Sequence, residues 1–458
     1  MPLPPIMRVA MLRFSCLLVI SVALAIPLFL ACFSAQSRGV GHILPFSHGR
    51  DSSSTVFRGG VLIDGTGRTP VSNAVIVVYG EQIVCVGTES SCTIPPNASV
   101  IDCRGRWIIP GLIDTHLHLA WMWNDSATRN QIRPTLTRLL GHGITGLREA
   151  SGAGRERELI ALRDSIATGH ILGPRLFVSG VLSPQNKQRY DVQDVGELVR
   201  QLVAVGVDGF KIRLGVAPEE LNLVIEAAHK AGRPIYVHPG NLGPEVVFAD
   251  FDGVMHVSQI GPVPPHRVDE VPAVNWDGTP EAMARLKVTE ATRWLLADEA
   301  SIDSVIASMV RRGAWLEPTL SPPDPNVPWA SYLASRDWET LRTGYQQMLR
   351  FVHRFYERDG LIVAGTDEDV RRPALASQLH ELVDAGLPPM AALQAATRNA
   401  ARALNWDESV GTIEAGKIAD LVILDGDPLG DITNVQRVWM VVARGRILDR
   451  DSLLSQSP

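Results

Sequence analysis

Apolar and polar positions follow two different rhythms along this 458-residue chain. From Phe57 to Gly87, short apolar runs alternate with turn signals. Val61-Leu62-Ile63 precedes Asp64-Gly65-Thr66-Gly67, Ala74-Val75-Ile76-Val77-Val78-Tyr79 precedes Gly80, and Ile83-Val84-Cys85-Val86 precedes Gly87. Apolar runs this short, closed by glycine, are strands joined by turns. The same texture returns in Ala419-Asp420-Leu421-Val422-Ile423-Leu424 and Val438-Trp439-Met440-Val441-Val442. Neither end segment has a helical period, so one small β-sandwich is expected, assembled from residues 56–108 and 411–452.

The middle of the chain alternates β-rich runs with stretches long enough for helices. Strands are predicted at 107–113, 144–149, 175–179, 209–214, 234–238, 253–257, 314–320 and 361–365. Eight strands with helices between them require an α/β fold, a (β/α)₈ TIM barrel over residues 109–410. The connection from 258 to 312 is long and carries several prolines, so an inserted loop over the barrel mouth is expected there, with His266 and Trp276 available to shape a pocket.

The first residues read differently. Arg8 and Arg13 are the only charged side chains before Ser37, and residues 15–31 are largely apolar, broken only by Pro27 and small polar residues. A charged start, an apolar run and the small residues from Ala31 to Ala35 read as an export signal over residues 1–35, followed by a polar linker over 36–55. The alternatives are a retained membrane anchor, for which the run is near the minimum length, and a lipoprotein, since Leu30-Ala31-Cys32 resembles a lipid-attachment box. All three place the body of the protein outside the cytoplasm, with any membrane attachment confined to this segment. Cysteine usage agrees. Cys16 and Cys32 fall in the targeting segment, which leaves Cys85, Cys92 and Cys103. With no Cys-x-x-Cys pair a zinc ribbon is excluded. Cys85 and Cys92 flank Gly87-Thr88-Glu89-Ser90-Ser91 and either bridge in an oxidising compartment or remain, with Cys103, as buried thiols. The net charge of −6 and the lack of a basic run argue against a nucleic-acid partner.

Metal-capable side chains stand at the C-terminal ends of the predicted strands, where barrel enzymes place their chemistry. His116 and His118 follow the first strand, and two-residue spacing on a strand points both rings to one face. His238 ends the fifth strand, His256 the sixth, and Asp367 follows the eighth. A His-x-His pair arises often by chance, a lone strand-end His is usually a hydrogen-bonded core residue, and an Asp after Gly-Thr is commonly a helix cap. What carries weight is the coincidence of four His and one Asp at four strand exits; His142, His229 and His380 lack this placement and read as structural or surface residues. Lys211 lies in the apolar fourth strand Gly209-Phe210-Lys211-Ile212. A buried ammonium is costly to desolvate and has no lone pair for a metal. A neutral Lys beside two cations can instead react with CO₂ and become a carbamate, an anionic oxygen ligand able to bridge both. The alternative is a structural cation paired with an acid.

Three blocks together are recognisable: Gly59-Gly60-Val61-Leu62-Ile63-Asp64-Gly65-Thr66-Gly67, Ile109-Pro110-Gly111-Leu112-Ile113-Asp114-Thr115-His116-Leu117-His118, and Gly411-Thr412-Ile413-Glu414-Ala415-Gly416-Lys417-Ile418-Ala419-Asp420. The chain resembles the amidohydrolase superfamily from Phe57 to Asp449. Gly143-Ile144-Thr145-Gly146-Leu147-Arg148 and Pro318-Thr319-Leu320 are similar to the imidazolonepropionase-like branch, which includes Xaa-Pro dipeptidases with a carbamylated lysine. The resemblance implies two divalent metal ions, zinc foremost. His116, His118 and Asp367 would hold one, His238 and His256 the other, with carbamylated Lys211 between them. The chain departs from the family pattern at His238-Pro239-Gly240-Asn241, at Glu149 where Asp is usual, and at Val254-Met255-His256, which lacks the common Glu. These departures touch the substrate rather than the chemistry.

The resulting expectation is an exported, metal-dependent hydrolase of an amide or peptide bond in a small molecule, of dipeptidase or N-acyl amino acid type, with Asp367 as the proton carrier. A lactonase or phosphotriesterase-like hydrolase is the alternative on the same site. Retention of all six ligand positions argues against a metal-less binding protein, and Lys211 argues against a mononuclear deaminase. Tyr236 and Arg213 are candidates for substrate contact, with barrel filling as their other reading. A homo-oligomer is expected. If export is correct, the intact mass of the native protein will show a mature chain beginning between about Cys32 and Ser37; a mass that includes residues 1–31 leaves only the anchor.

Overall fold

The computed structural model describes residues 54–123, 126–152, 154–212, 218–240, 244–367 and 374–455. The targeting segment, most of the linker and Arg213 lie outside the described residues. Strand β1 (Ser54–Arg58) begins inside the stretch expected to be linker, and is followed by β2 (Val61–Leu62), β3 (Val75–Tyr79), β4 (Gln82–Gly87), β5 (Ser99–Asp102) and β6 (Trp107–Pro110). The barrel supplies β7 (Leu112–Leu117), β8 (Ile144–Glu149), β9 (Arg175–Leu182), β10 (Gly209–Ile212), β11 (Ile235–Val237), β12 (Gly253–Met255) and β13 (Trp315–Glu317), and the chain closes with β14 (Leu421–Leu424), β15 (Val438–Ala443) and β16 (Arg446–Leu448).

Two sheets form the β part, in orders β4-β3-β1-β5 and β16-β15-β14-β6-β2. The second draws on both ends of the chain, because β14 runs antiparallel to β6 with Ile423 opposite Ile108. Side-chain alternation explains the packing. On β3, Ile76 and Val78 join Phe57, Ile108, Leu421 and Ile423 in one buried cluster, while Val75 and Val77 face the other way onto Val56 and Cys92. Cys85 and Cys92 form a disulfide, and Cys103 is a buried free thiol.

The barrel sheet is parallel throughout, in order β7 to β13. The eighth position is filled by residues 361–365, which are too irregular for a full strand yet close the ring. Leu316 N–H donates to the Leu361 carbonyl at 2.8 Å, Val363 N–H to Leu316 at 2.9 Å, and Thr115 N–H to Ala364 at 3.1 Å. The expected first strand at 107–113 is in fact two, separated at Gly111. The first, β6, belongs to the β sheets, and only the second enters the barrel. One continuous apolar run hid that boundary. The expected insertion at 258–312 contains helices Pro280–Leu296 and Glu299–Arg312, not a loop. The first is capped by the Thr279 hydroxyl and enters at Pro280, the second is capped by Asp298 and ends at Gly313 in the left-handed region.

The interior of the ring below its mouth is filled by Ile113, Phe177, Tyr236, Met255, Trp315 and Val363. Gly253 is there to admit Trp315, since a Cβ on it would stand 2.2 Å from the indole ring. Gly253→Ala is therefore expected to lower stability by about 1–3 kcal/mol through overpacking. In urea unfolding, a second substitution, Trp315→Leu, should cost less in the Gly253→Ala background than in the parent chain; strictly additive losses would disprove the clash.

Candidate active site

The six candidate ligands reach the barrel mouth from the ends of β7, β10, β11 and β12 and from the closing segment. His116 lies within β7, not beyond it as expected, and is fully buried; His118 follows the strand. Lys211 is buried on β10, His238 follows β11, and His256 follows β12. Asp367 is tied in by its backbone N–H, which donates to the His116 carbonyl at 2.9 Å. His256 (φ 58°), Thr319 (φ 45°) and Asp367 (φ 50°) all occupy the left-handed region, which costs energy for residues other than glycine and gathers at functional sites. Gly365 lets the strands approach so closely: a Cβ there would lie 2.7 Å from the His116 Cβ and 2.8 Å from the Glu317 Cδ.

All six positions proposed as ligands adjoin one another. His116 Nε2 lies 3.2 Å from Lys211 Nζ and 3.2 Å from Asp367 Oδ1. His118 Nε2 lies 2.8 Å from the same oxygen, and its ring stacks on Trp121 with centroids 4.3 Å apart. His256 Nδ1 is 3.7 Å from Asp367 Oδ2, and the His238 ring lies 4.5 Å from that of His256, edge to face. Ligand atoms of His116, His256 and Asp367 all fall within 4.8 Å of one another. Two imidazoles and a carboxylate at that spacing fit a divalent cation of the zinc type.

The charge states agree with that fit. Burial, reinforced by Lys211, holds the His116 imidazole well below its ordinary pKa, and burial does the same to His256. Both rings are thus neutral with a lone pair to offer. Burial alone would raise Asp367, but His116, His256 and His118 around it outweigh that and hold it well below the usual carboxylate range. The Thr319 hydroxyl donates to the Pro318 carbonyl at 2.8 Å and accepts from His256 Nδ1 at 2.8 Å, which leaves the lone pair on Nε2.

The amidohydrolase family profile matches residues 107–448. The chain belongs to the amidohydrolase family. It is thereby a hydrolase of carbon–nitrogen bonds. An imidazolonepropionase of Hyphomonas neptunium (strain ATCC 15444) is 26% identical over 434 residues, covering 81% of this chain and 93% of that protein. Among solved structures, a Xaa-Pro dipeptidase with bound methionine superposes with a TM-score of 0.64 at 22% identity, over 86% of this chain and 100% of that one. Molinate hydrolase superposes with a TM-score of 0.67 at 22% identity, over 90% and 97%. These likenesses carry the fold, a barrel with a β domain.

The structure also places what sequence reasoning overlooked in this amidohydrolase. Glu317, at the end of β13, is fully buried and accepts hydrogen bonds from His116 Nδ1, from Thr115, and from Arg148 at 2.7 Å. A lone acid closing an apolar strand, in Trp315-Leu316-Glu317, is the same signal that singled out Lys211. Asp114 accepts from the His116 N–H at 3.0 Å and from the Thr366 hydroxyl at 2.9 Å, and burial pushes its carboxyl up to about 7. Glu149, one of the departures from the family pattern, receives the Ala120, Ser151 and Gly152 N–H groups and so fixes the loops around His118. Tyr236 does not reach the mouth. Its hydroxyl is bonded to Ser179, and Arg148 lies over its ring at 4.0 Å, so it fills the barrel. His229 and His380 are exposed and pair with Asp252 and Asp384, away from the site.

Glu317→Ala leaves Arg148 as an unpaired buried cation and should lower stability by about 3–5 kcal/mol in denaturant unfolding. The Glu317→Leu/Arg148→Met pair, which removes both charges, should recover most of that loss. A single-variant loss below about 1 kcal/mol would show that the Arg148–Glu317 pair contributes little.

Proposed function

We propose that this protein is an exported, binuclear metal-dependent amidohydrolase that cleaves the amide or peptide bond of a dipeptide or N-acyl amino acid. The observation that carries the reading is the convergence of His116, His118, Lys211, His238, His256 and Asp367, from four strand ends and the closing segment of the barrel, onto one cluster. His116, His118 and Asp367 would hold one cation and His238 and His256 the other, with Lys211, as a carbamate formed with CO₂, joining them. When bound, two such cations, zinc by the donor set, supply Lewis-acid polarisation of the scissile carbonyl and a water of lowered pKa.

The chain's own groups do the rest. Asp367, kept ionised among three imidazoles, accepts the proton of the attacking water and returns it to the leaving nitrogen as the C–N bond breaks and a C–O bond forms. Glu317 and Thr319 hold the rings of His116 and His256, so no reorientation is needed at the moment of reaction. The dipeptidase among the structural neighbours supports a peptide-type bond, and the Cys85–Cys92 disulfide supports an oxidising compartment and hence export.

Elemental analysis of purified protein should find about two divalent metals per chain, fewer in His238→Ala. Burial already keeps the His116 and His256 rings neutral, with pKa values below the ordinary 6.5. Protons therefore compete for the site only in solution well more acidic than the ordinary imidazole range, so metal should still be bound at pH 6.5 and be lost only on stronger acidification; loss between pH 8 and 6.5 would contradict the buried, neutral rings. The metal-loaded protein should hydrolyse Xaa-Pro dipeptides or N-acyl amino acids. Lys211→Ala should lose most of that activity and regain part with added acetate. Turnover confined to lactones or phosphotriesters would favour the alternative hydrolase, and full activity without bound metal would sink the mechanism.

A further inference from the structure

The helix Pro280–Leu296 adds something to the mouth that the metal cluster does not need. Lys287 and Glu290 are one turn apart on it, with Nζ 2.9 Å from Oε2; Glu290 is almost fully buried and the Lys287 side chain is 37% exposed. Both residues, together with Gln259, line two adjoining cavities. The larger, about 520 Å³, includes His238 and is walled mainly by apolar side chains, among them Val271, Val274, Trp276, Met283 and Leu286. The smaller, about 240 Å³, includes His256 and Asp367. Lys287 therefore lines both cavities, one shared with His238 and the other with His256 and Asp367. The larger volume is that of a small-ligand pocket with few polar groups to set orientation.

We propose that Lys287 is a specificity-determining residue that receives the carboxylate of the substrate while the substrate's apolar portion fills the cavity walled by Trp276, Met283 and Leu286. An exposed surface lysine paired at i, i+3 contributes little to stability, yet this one is anchored by a buried acid on the lining of both cavities. Glu290 fixes the ammonium and accepts one of its three N–H donors. Asp367, within electrostatic reach, joins Glu290 in keeping Lys287 protonated, with its pKa above the ordinary value. The formal charges of Lys287, Arg293 and Glu290 around the larger cavity leave one net positive charge, which suits a single carboxylate. Apolar walls on one side and the ammonium of Lys287 on the wall shared by both cavities select an amide that carries a bulky apolar group and a carboxylate.

The proposal takes from the hydrolase reading only that the occupant is a substrate, and a binding measurement separates the two. The probe is N-(p-tolylsulfonyl)glycine, a sulfonamide that cannot be cleaved as an amide, compared by calorimetry with its primary carboxamide on the metal-loaded enzyme. The acid should bind at least about tenfold more tightly than the carboxamide, the scale of one charge-assisted hydrogen bond. Lys287→Met should abolish that preference with the carboxamide's affinity and the metal content unchanged, and Lys287→Arg should keep it. Should Lys287→Met fail to fold, the Lys287→Met/Glu290→Met pair, which leaves no buried charge, decides in its place. No binding, no preference for the acid, or a preference that survives removal of the ammonium overturns the proposal. Binding with that preference but no turnover of any dipeptide or N-acyl amino acid would overturn the proposed substrate class and leave the recognition site standing.

Discussion

Much of the barrel mouth depends on one buried anion. Glu317 is sealed from solvent at the end of β13, and the groups that satisfy it come from β7 and β8: the ring of His116, the hydroxyl of Thr115 and the guanidinium of Arg148. A carboxylate without water is tolerable only while every such partner stays in place, so three strands are held in one relative position. Burial pushes Glu317 up in pKa and the Arg148 cation opposes that rise. One donor to this anion, His116, also faces Lys211 and Asp367 with its other nitrogen. Whatever fixes Glu317 fixes the geometry at the reaction centre.

That arrangement also explains the unusual backbone around it. His256, Thr319 and Asp367 adopt left-handed conformations on three different segments, and each is tethered to a neighbour. His256 N–H donates to the Glu317 carbonyl, and Asp367 N–H to that of His116, both at 2.9 Å. Conformations that cost energy individually persist where surrounding contacts over-determine them. The mouth is rigid where cations would sit. Its recognition surface lies instead on the separate Pro280–Leu296 helix, so chemistry and selectivity occupy different parts of the chain.

How much of this could be read from residues alone follows from what each signal measures. Periodicity reports burial, so the alternating strands, the interposed helices and the composite β sheets were legible. Strand-end placement singled out His116, His118, His238, His256 and Asp367 only in combination, because each alone has an ordinary structural explanation and their coincidence at four strand exits does not. The division between β6 and β7 was missed, since residues 107–113 read as one apolar strand, while the chain passes from one sheet to another at Pro110-Gly111. The eighth strand was placed correctly at 361–365, though it bonds to its neighbours too sparsely to be regular. Glu317 escaped notice because the Pro-Thr-Leu that follows it drew the reading to the motif instead of to the acid. Lys287 and Glu290 could not have been found this way, because a Lys and a Glu three apart on a helix describe an ordinary solvated face until the cavities around them are known.

The pairing of β6 with β14 bears on the order in which the chain folds. Trp107 lies opposite Leu424, so the edge of β6 has no partner of its own until nearly the whole chain has been made. The strands of the barrel are synthesised in between, and each pairs with the strand made just before it. Local pairings form quickly and distant ones late, because closing a long loop carries an entropic cost. The barrel is thus free to assemble along the chain while the β sheets wait for its end. On this ordering the beginning of the described chain joins its close late, and a chain cut short before β14 leaves β6 with an open edge, ready to pair with another molecule.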